Sequence, residues 1–152
     1  MNTSAITSIY GMFADCRNVT NIIFNIIDTS NCSEFGSMFS GCSKLANIDI
    51  SGFDTSKSTE FEATFMDCSS LTELDLSKWN VSKSYTFDNM FFGCSSLKTL
   101  NLSGWSFRDS TVTVNNMFKN CTKLTTIIVK GCDSDTIAKL KSVAPSGCVF
   151  IR

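Results

Sequence analysis

Met38-Phe39-Ser40-Gly41-Cys42-Ser43-Lys44-Leu45, running on through Ile48-Asp49-Ile50-Ser51-Gly52-Phe53-Asp54-Thr55-Ser56, is one copy of a pattern that fills most of the chain. Cys42 belongs to a column in which Cys16, Cys42, Cys68 and Cys94 follow at intervals of 26 and Cys121 comes 27 after Cys94. Three residues before each cysteine stands an aromatic, Phe13, Phe39, Phe65, Phe91 and Phe118, preceded by Met12, Met38, Met90 and Met117, with Thr64 the exception. After each cysteine comes an apolar trio of the form L-x-x-L-x-L: Val19, Ile22, Phe24; Leu45, Ile48, Ile50; Leu71, Leu74, Leu76; Leu97, Leu100, Leu102; Leu124, Ile127, Val129. Two more columns keep the phase, one through Ile27, Phe53, Trp79, Trp105 and Cys132, the other through Ile9, Phe35, Phe61, Phe87 and Val114.

Self-similarity at such a period marks a solenoid, because one supersecondary unit cannot bury its apolar side alone and stacks on its neighbours to do so. The sequence therefore predicts a single, right-handed, β-rich domain. Residues 1–132 form five repeats of 26 or 27 residues, and residues 133–152 form a C-terminal cap. The alternation at the end of L-x-x-L-x-L, as in Leu74-Asp75-Leu76, predicts a short strand pairing in parallel with its equivalents at about 4.8 Å. Ser/Thr-rich stretches such as Ala5-Ile6-Thr7-Ser8-Ile9 predict a second, shorter strand on the opposite side, and Met-Phe-x-x-Cys one helical turn at a corner. The added residue of the 27-residue interval falls most simply in the loop of residues 108–113.

The two ends differ. Asp133-Ser134-Asp135-Thr136 offers capping residues and early negative charge, and Ile137, Leu140, Lys141 and Ala144 keep helical spacing until Pro145 and Gly147. Cys148-Val149-Phe150-Ile151 then reads as a final strand. At the start, Asn2-Thr3-Ser4 aligns with Asp28-Thr29-Ser30 and Asp54-Thr55-Ser56, so the first repeat is entered halfway round and a partner or preceding domain is expected to dock there.

Composition removes several function classes. The chain has 152 residues with 13 Lys and Arg against 14 Asp and Glu, a net charge of −1 that gives no bulk attraction to nucleic acid or anionic membrane. There is no His, which takes away the commonest general base and every site that needs imidazole. The 23 Ser and 16 Thr make the chain polar, but 43% apolar residues and 13 Phe supply a core, so it is expected to fold. No apolar run approaches the roughly 18 residues of a membrane span, and the first residues lack the pattern of a secretory signal.

With Met-Phe-x-x-Cys-x-x-Leu-x-x-Leu-x-Leu-Ser-x-Phe/Trp-Asp-Thr-Ser as its phase, the chain resembles the BspA-like leucine-rich-repeat group of bacterial surface proteins. It is most similar to the roughly 25-residue class of mycoplasma surface lipoproteins. The likeness covers nearly residues 2 to 130 and departs from the pattern at Thr64, Ile128-Val129-Lys130 and Cys132. It implies a leucine-rich-repeat-like fold and a surface-exposed adhesion or ligand-binding module inside a long repeat protein, and it carries over no catalytic residues.

The phased cysteines are expected to be buried, reduced thiols, since in-register parallel positions point the same way and do not converge as a disulfide requires. A bond between Cys132 and Cys148, which flank the cap helix, stays open. The column of Phe53, Trp79 and Trp105 is either a sugar-stacking strip or core filling, and its replacement by Ile27 and Cys132 favours core. Matches to the glycosylation sequon, such as Asn80-Val81-Ser82, are expected by chance in so Ser- and Asn-rich a chain.

No cofactor and no metal site are expected. The candidate ligand-binding residues are Asn47, Asp49, Glu73, Asp75, Thr99 and Asn101, which alternate with the inward aliphatics on adjacent strands and form one outward patch suited to an extended polymer or a basic protein surface. Within it Asp49 and Asp75 fall at one register position, where like charges oppose each other. Two functions fit: a non-enzymatic module on a cell surface that binds protein or glycan through this face, or a structural element, such as a spacer or virion component, that docks through its open first repeat.

Overall fold

The computed structural model of the protein describes residues 5–24 and 27–152. The alignment of Asn2-Thr3-Ser4 with the Asp-Thr-Ser segments lies outside the described residues. The fold is a β-rich repeat fold built mostly from parallel sheets. Strands β1 (Asn21–Ile22), β2 (Asn47–Ile48), β3 (Glu73–Asp75), β4 (Thr99–Asn101) and β5 (Thr126–Ile128) are the ends of the five L-x-x-L-x-L segments. Each rung pairs in the register that the period dictates: Ile22 with Ile48, Leu74 with Leu100, and Leu100 with Ile127.

The main face is not one continuous sheet. Hydrogen bonding divides it into β1-β2 and β3-β4-β5-β6. The bonds from Ala46 N–H to the Thr20 carbonyl and from Lys98 N–H to the Thr72 carbonyl have no counterpart between Thr72 and Ala46. This boundary is the one that would set Asp49 directly opposite Asp75. Like charges at facing positions weaken a ladder, and here the ladder parts.

The Met-Phe-x-x-Cys corner is not a helical turn. Ile9, Gly11, Phe13 and Asp15 donate their N–H groups to the carbonyls of Glu34, Gly36, Met38 and Ser40 in the next rung. The peptides between them close local bonds, Met12 N–H to Ile9, Ala14 N–H to Gly11 and Cys16 N–H to Phe13. The donors of this first bend are satisfied alternately by the neighbouring rung and by their own turn, with Tyr10 N–H bonded to the Ser8 hydroxyl. Two left-handed residues per rung make this possible: Gly11 and Asp15, Ser37 and Gly41, Ala63 and Asp67, Asn89 and Gly93, Asn116 and Asn120, with φ from 52° to 75°. Such residues end any right-handed helix. At Gly41 a Cβ would lie 2.6 Å from the Asp15 carboxylate oxygen, so a side chain there would have to turn that exposed carboxylate aside.

The expected second strand contracts to single parallel bridges, Ser8 to Glu34, Glu34 to Glu60, Glu60 to Thr86 and Thr86 to Thr113. The corner turn begins too soon after them for a longer ladder. The step from Thr86 to Thr113 is 27 residues, which fits the inserted residue lying in the loop before Thr113.

Inside, the columns become stacks. Phe13, Phe39, Phe65, Phe91 and Phe118 lie nearly parallel with ring centroids 5.4–5.8 Å apart, an offset arrangement that avoids facing the rings' negative faces. The thiols of Cys42, Cys68, Cys94 and Cys121 donate to the carbonyls of Phe13, Phe39, Phe65 and Phe91 at 2.9–3.2 Å. Trp79 and Trp105 are core rather than a sugar strip, 3% and 0% exposed, and their indole N–H groups donate to the carbonyls of Ile50 and Leu76. Cys132, next in that column, donates its thiol to the Leu102 carbonyl in the same way. Thr64, the exception in the methionine column, is buried and donates its hydroxyl to the Phe61 carbonyl at 2.8 Å. The first rung is less enclosed, with Phe13, Cys16 and Ile22 only half-buried.

Helix α1 (Ser134–Val143) follows Asp133, whose carboxylate accepts the Thr136 N–H at 2.8 Å, and buries Ile137 and Leu140 over the last rung. Strand β6 (Val149–Ile151) then pairs with β5. Cys132 and Cys148 are both free thiols, as are the other cysteines.

Labelling the native protein with a thiol reagent is expected to leave Cys32, Cys42, Cys68, Cys94 and Cys121 unmodified, since all five are buried, while half-buried Cys16, Cys132 and Cys148 react. Rapid labelling of Cys42, Cys68 or Cys94 would place the column in water. Burial also pushes the Cys121 thiol up to about 12 from an ordinary 9.0, and it raises Cys68 and Cys94 as well. An unfolded chain ionises these thiols first. The stability they contribute is therefore complete below pH 9 and is lost as pH climbs from there toward 12, so an alkaline unfolding titration should show a falling midpoint across that window.

Candidate binding face

The outward positions of the main strands make two columns. One runs Asn21, Asn47, Glu73, Thr99, Thr126, Val149, and the other continues from Ile23 through Asp49, Asp75, Asn101, Ile128 and Ile151. Of the six candidates, Asn47, Asp49, Glu73 and Asp75 are exposed, whereas Thr99 and Asn101 are half-buried. A shallow hollow of about 410 Å³ gathers Asn47, Glu73, Asp75, Thr99 and Asn101 around Ile48, Leu74 and Ile128. Asp49 is not in it. It lies in an adjoining hollow of about 680 Å³, floored by Ile22, Ile48 and Phe53, that shares only Asn47 and Ile48 with the first. The expected single patch is thus two depressions that meet at β2.

Three of the candidate side chains are also occupied locally. Asp49 accepts the N–H and hydroxyl of Ser51 at 3.0 and 2.7 Å, Asp75 accepts the Ser77 N–H at 2.8 Å, and Asn101 accepts the Ser103 N–H and hydroxyl at 3.1 and 2.6 Å. A side-chain oxygen returning to the backbone two residues on is how Asx residues end a strand. These bonds from Ser51 hold the Asp49 carboxyl below its usual range. For Asp75, partial burial pushes upward, but the bonds from Ser77 and Asn101 and the charge of Lys78 outweigh it, and the net direction is down. Both carboxylates are therefore charged at neutral pH, with oxygen lone pairs still facing solvent. Among the described residues no group of three or more His, Cys, Asp or Glu is placed to hold a metal ion. Among the described residues no helix is long and apolar enough to cross a membrane.

Two features of the face were not anticipated. Ile23, Val149 and Ile151 are 75%, 59% and 42% exposed, and they stand at its two ends. Charge also separates along the stack: residues 1–76 carry 3 basic and 10 acidic side chains, a net of −7, while residues 77–152 carry 10 and 4, a net of +6. Counting charge for each half of the chain would have shown this, but a whole-chain total of −1 conceals it. Away from this face Tyr85 donates its hydroxyl to Glu60 at 3.1 Å, a bond that with the carboxylate's charge pushes the tyrosine's pKa up, so that it ionises only at higher pH.

Comparison with known families matches residues 7–131 to the one described as "Mycoplasma protein of unknown function, DUF285". The chain belongs to this family. No curated protein and no solved structure gives a match.

Proposed function

We propose that this member of the mycoplasma family is a non-enzymatic recognition module, a right-handed solenoid of the BspA-like leucine-rich-repeat kind. It is displayed at a cell surface within a longer protein, and it binds protein or glycan through the main strand face. The observation that carries this reading is the face itself: polar side chains repeat at strand spacing on its outer columns, above an apolar-floored pair of hollows. Enzymatic chemistry is disfavoured by the lack of any His and by thiols held in the protonated form by burial. The expected result with the isolated protein is saturable binding to one member of a panel of immobilised host proteins and glycans. The double change Asp49→Lys, Asp75→Lys should weaken it at least about tenfold. Binding that is unchanged in the double variant would move the site off this face.

One observation favours a structural reading. The carbonyls of Ser8, Tyr10, Met12 and Ala14 occupy the positions that accept hydrogen bonds in every later rung, yet they receive none among the described residues. A docked strand supplying N–H groups at every second residue would complete them. On this reading the chain is a spacer or virion component, no panel member binds, and the first rung is where an assembly partner attaches.

A further inference from the structure

The outward columns of the main face are unlike at their two ends, and the differences are complementary. Toward β1–β3 the face carries Asp49, Glu73 and Asp75. Toward β4 and β5, exposed Lys98 stands just before one strand and exposed Lys130 two residues after the other. Exposed Ile23 lies beyond β1, and exposed Val149 and Ile151 lie on β6. A surface that is acidic at one half, basic at the other and apolar at both tips matches itself when reversed.

We propose that the protein ligand of this face is a second copy of the same chain, packed face to face and antiparallel about a two-fold axis that runs along the strand direction between β3 and β4. The inference rests on the main face being the binding surface. Such an axis brings β1 over the copy's β6, β2 over β5 and β3 over β4 while keeping strand starts over strand starts. Ile23 then lies over Ile151, Asp49 over Ile128 with Lys130 two residues further along, and Glu73 over Thr99 with Lys98 next to it. Each contact occurs twice, as a closed isologous interface requires.

The face is small. Six rungs at about 4.8 Å and strands of two or three residues bury roughly 300–400 Å² on each copy, at most half the roughly 800 Å² of a standard interface. The association is therefore weak, reversible and sensitive to salt, a form of contact that gains strength when many copies share one surface.

Sedimentation equilibrium on the intact chain tests this, over protein concentrations from about 10 μM to about 1 mM in about 20 mM salt. The weight-average mass should rise from 16.7 kDa toward twice that value and fall back in about 0.5 M salt. Two charge-reversed proteins, one with Asp49→Lys and Glu73→Lys and one with Lys98→Glu and Lys130→Glu, should each self-associate at least about tenfold more weakly. Mixed in equal amounts they should recover a dimer of wild-type strength or better. A wild-type protein that stays monomeric at the highest concentration overturns the proposal, as do variants that dimerise normally, a mixture that does not associate, or species larger than a dimer. If the wild type is monomeric while Asp49→Lys, Asp75→Lys abolishes binding to a panel ligand, the face is still a recognition surface and only the homotypic partner is wrong. If neither self-association nor panel binding occurs, both readings fall.

Discussion

Leu100→Ala will destabilise the protein by about 2–5 kcal/mol, read as a lowered denaturant midpoint at unchanged slope. Leu100 has no exposed surface and sits at the centre of its strand, flanked in register by Leu74 on one rung and Ile127 on the next. A cavity there has rigid walls on both sides, since each neighbour is itself pinned by the ladder, so the site cannot collapse to fill it. The low end of the range applies if the two adjacent rungs can close up. Lys78→Ala, at an exposed turn in the same part of the stack, should fall within about 0.5 kcal/mol of wild type. Equal effects at the two positions would mean that the aliphatic columns do not face inward.

Trp105 should be as sensitive, and its two replacements should separate volume from hydrogen bonding. Trp105→Ala removes a side chain with no exposed surface that packs against Phe87 and Phe107, with centroids 5.4 and 6.2 Å away, and is expected to cost about 3–5 kcal/mol. Trp105→Phe should cost far less, on the order of 1–2 kcal/mol, because Phe53 fills the equivalent place two rungs earlier. Losing the indole N–H leaves the Leu76 carbonyl with another donor, the Trp79 backbone N–H, so no buried acceptor is orphaned. A Phe variant as unstable as the Ala variant would show that the indole bond, not the filled volume, holds this corner.

What the sequence made legible was whatever is written in side-chain columns. The 26-residue spacing of Cys16 through Cys94 sets the rung length, and the pairing of Ile22 with Ile48 and Leu74 with Leu100 follows from it. The cap was legible for a similar reason, because Asp133, Ile137 and Leu140 obey local helix rules. The corner was not. Its conformation depends on the sign of φ at residues as unlike as Ser37, Ala63 and Asn89, and no single residue type announces it. The six candidate residues alternate with the core along their strands, but their division between two hollows coincides with the parted ladder. That parting lies at the boundary where Asp49 and Asp75 would share a register position, and it shows only in the tertiary structure.

The corner bonds also have a direction. From Ile9 to Gly93, the inter-rung bonds donated within the bend run from an N–H of one rung to a carbonyl of the next; only at its entry do Ser33, Thr59, Tyr85 and Thr113 donate back to the rung before. The peptide dipoles of the bend therefore add along the stack, with the carbonyl pole at Ser8, Tyr10, Met12 and Ala14 and the N–H pole at Val114, Asn116, Phe118 and Asn120. This is the reverse of an α-helix, whose first residues form the positive pole. The side-chain charges have the same sense, negative in the early rungs and positive in the late ones, so backbone and side chains reinforce each other. The molecule should carry a large permanent electric moment, one that aligns in an applied field and turns approaching charged bodies before any surface touches.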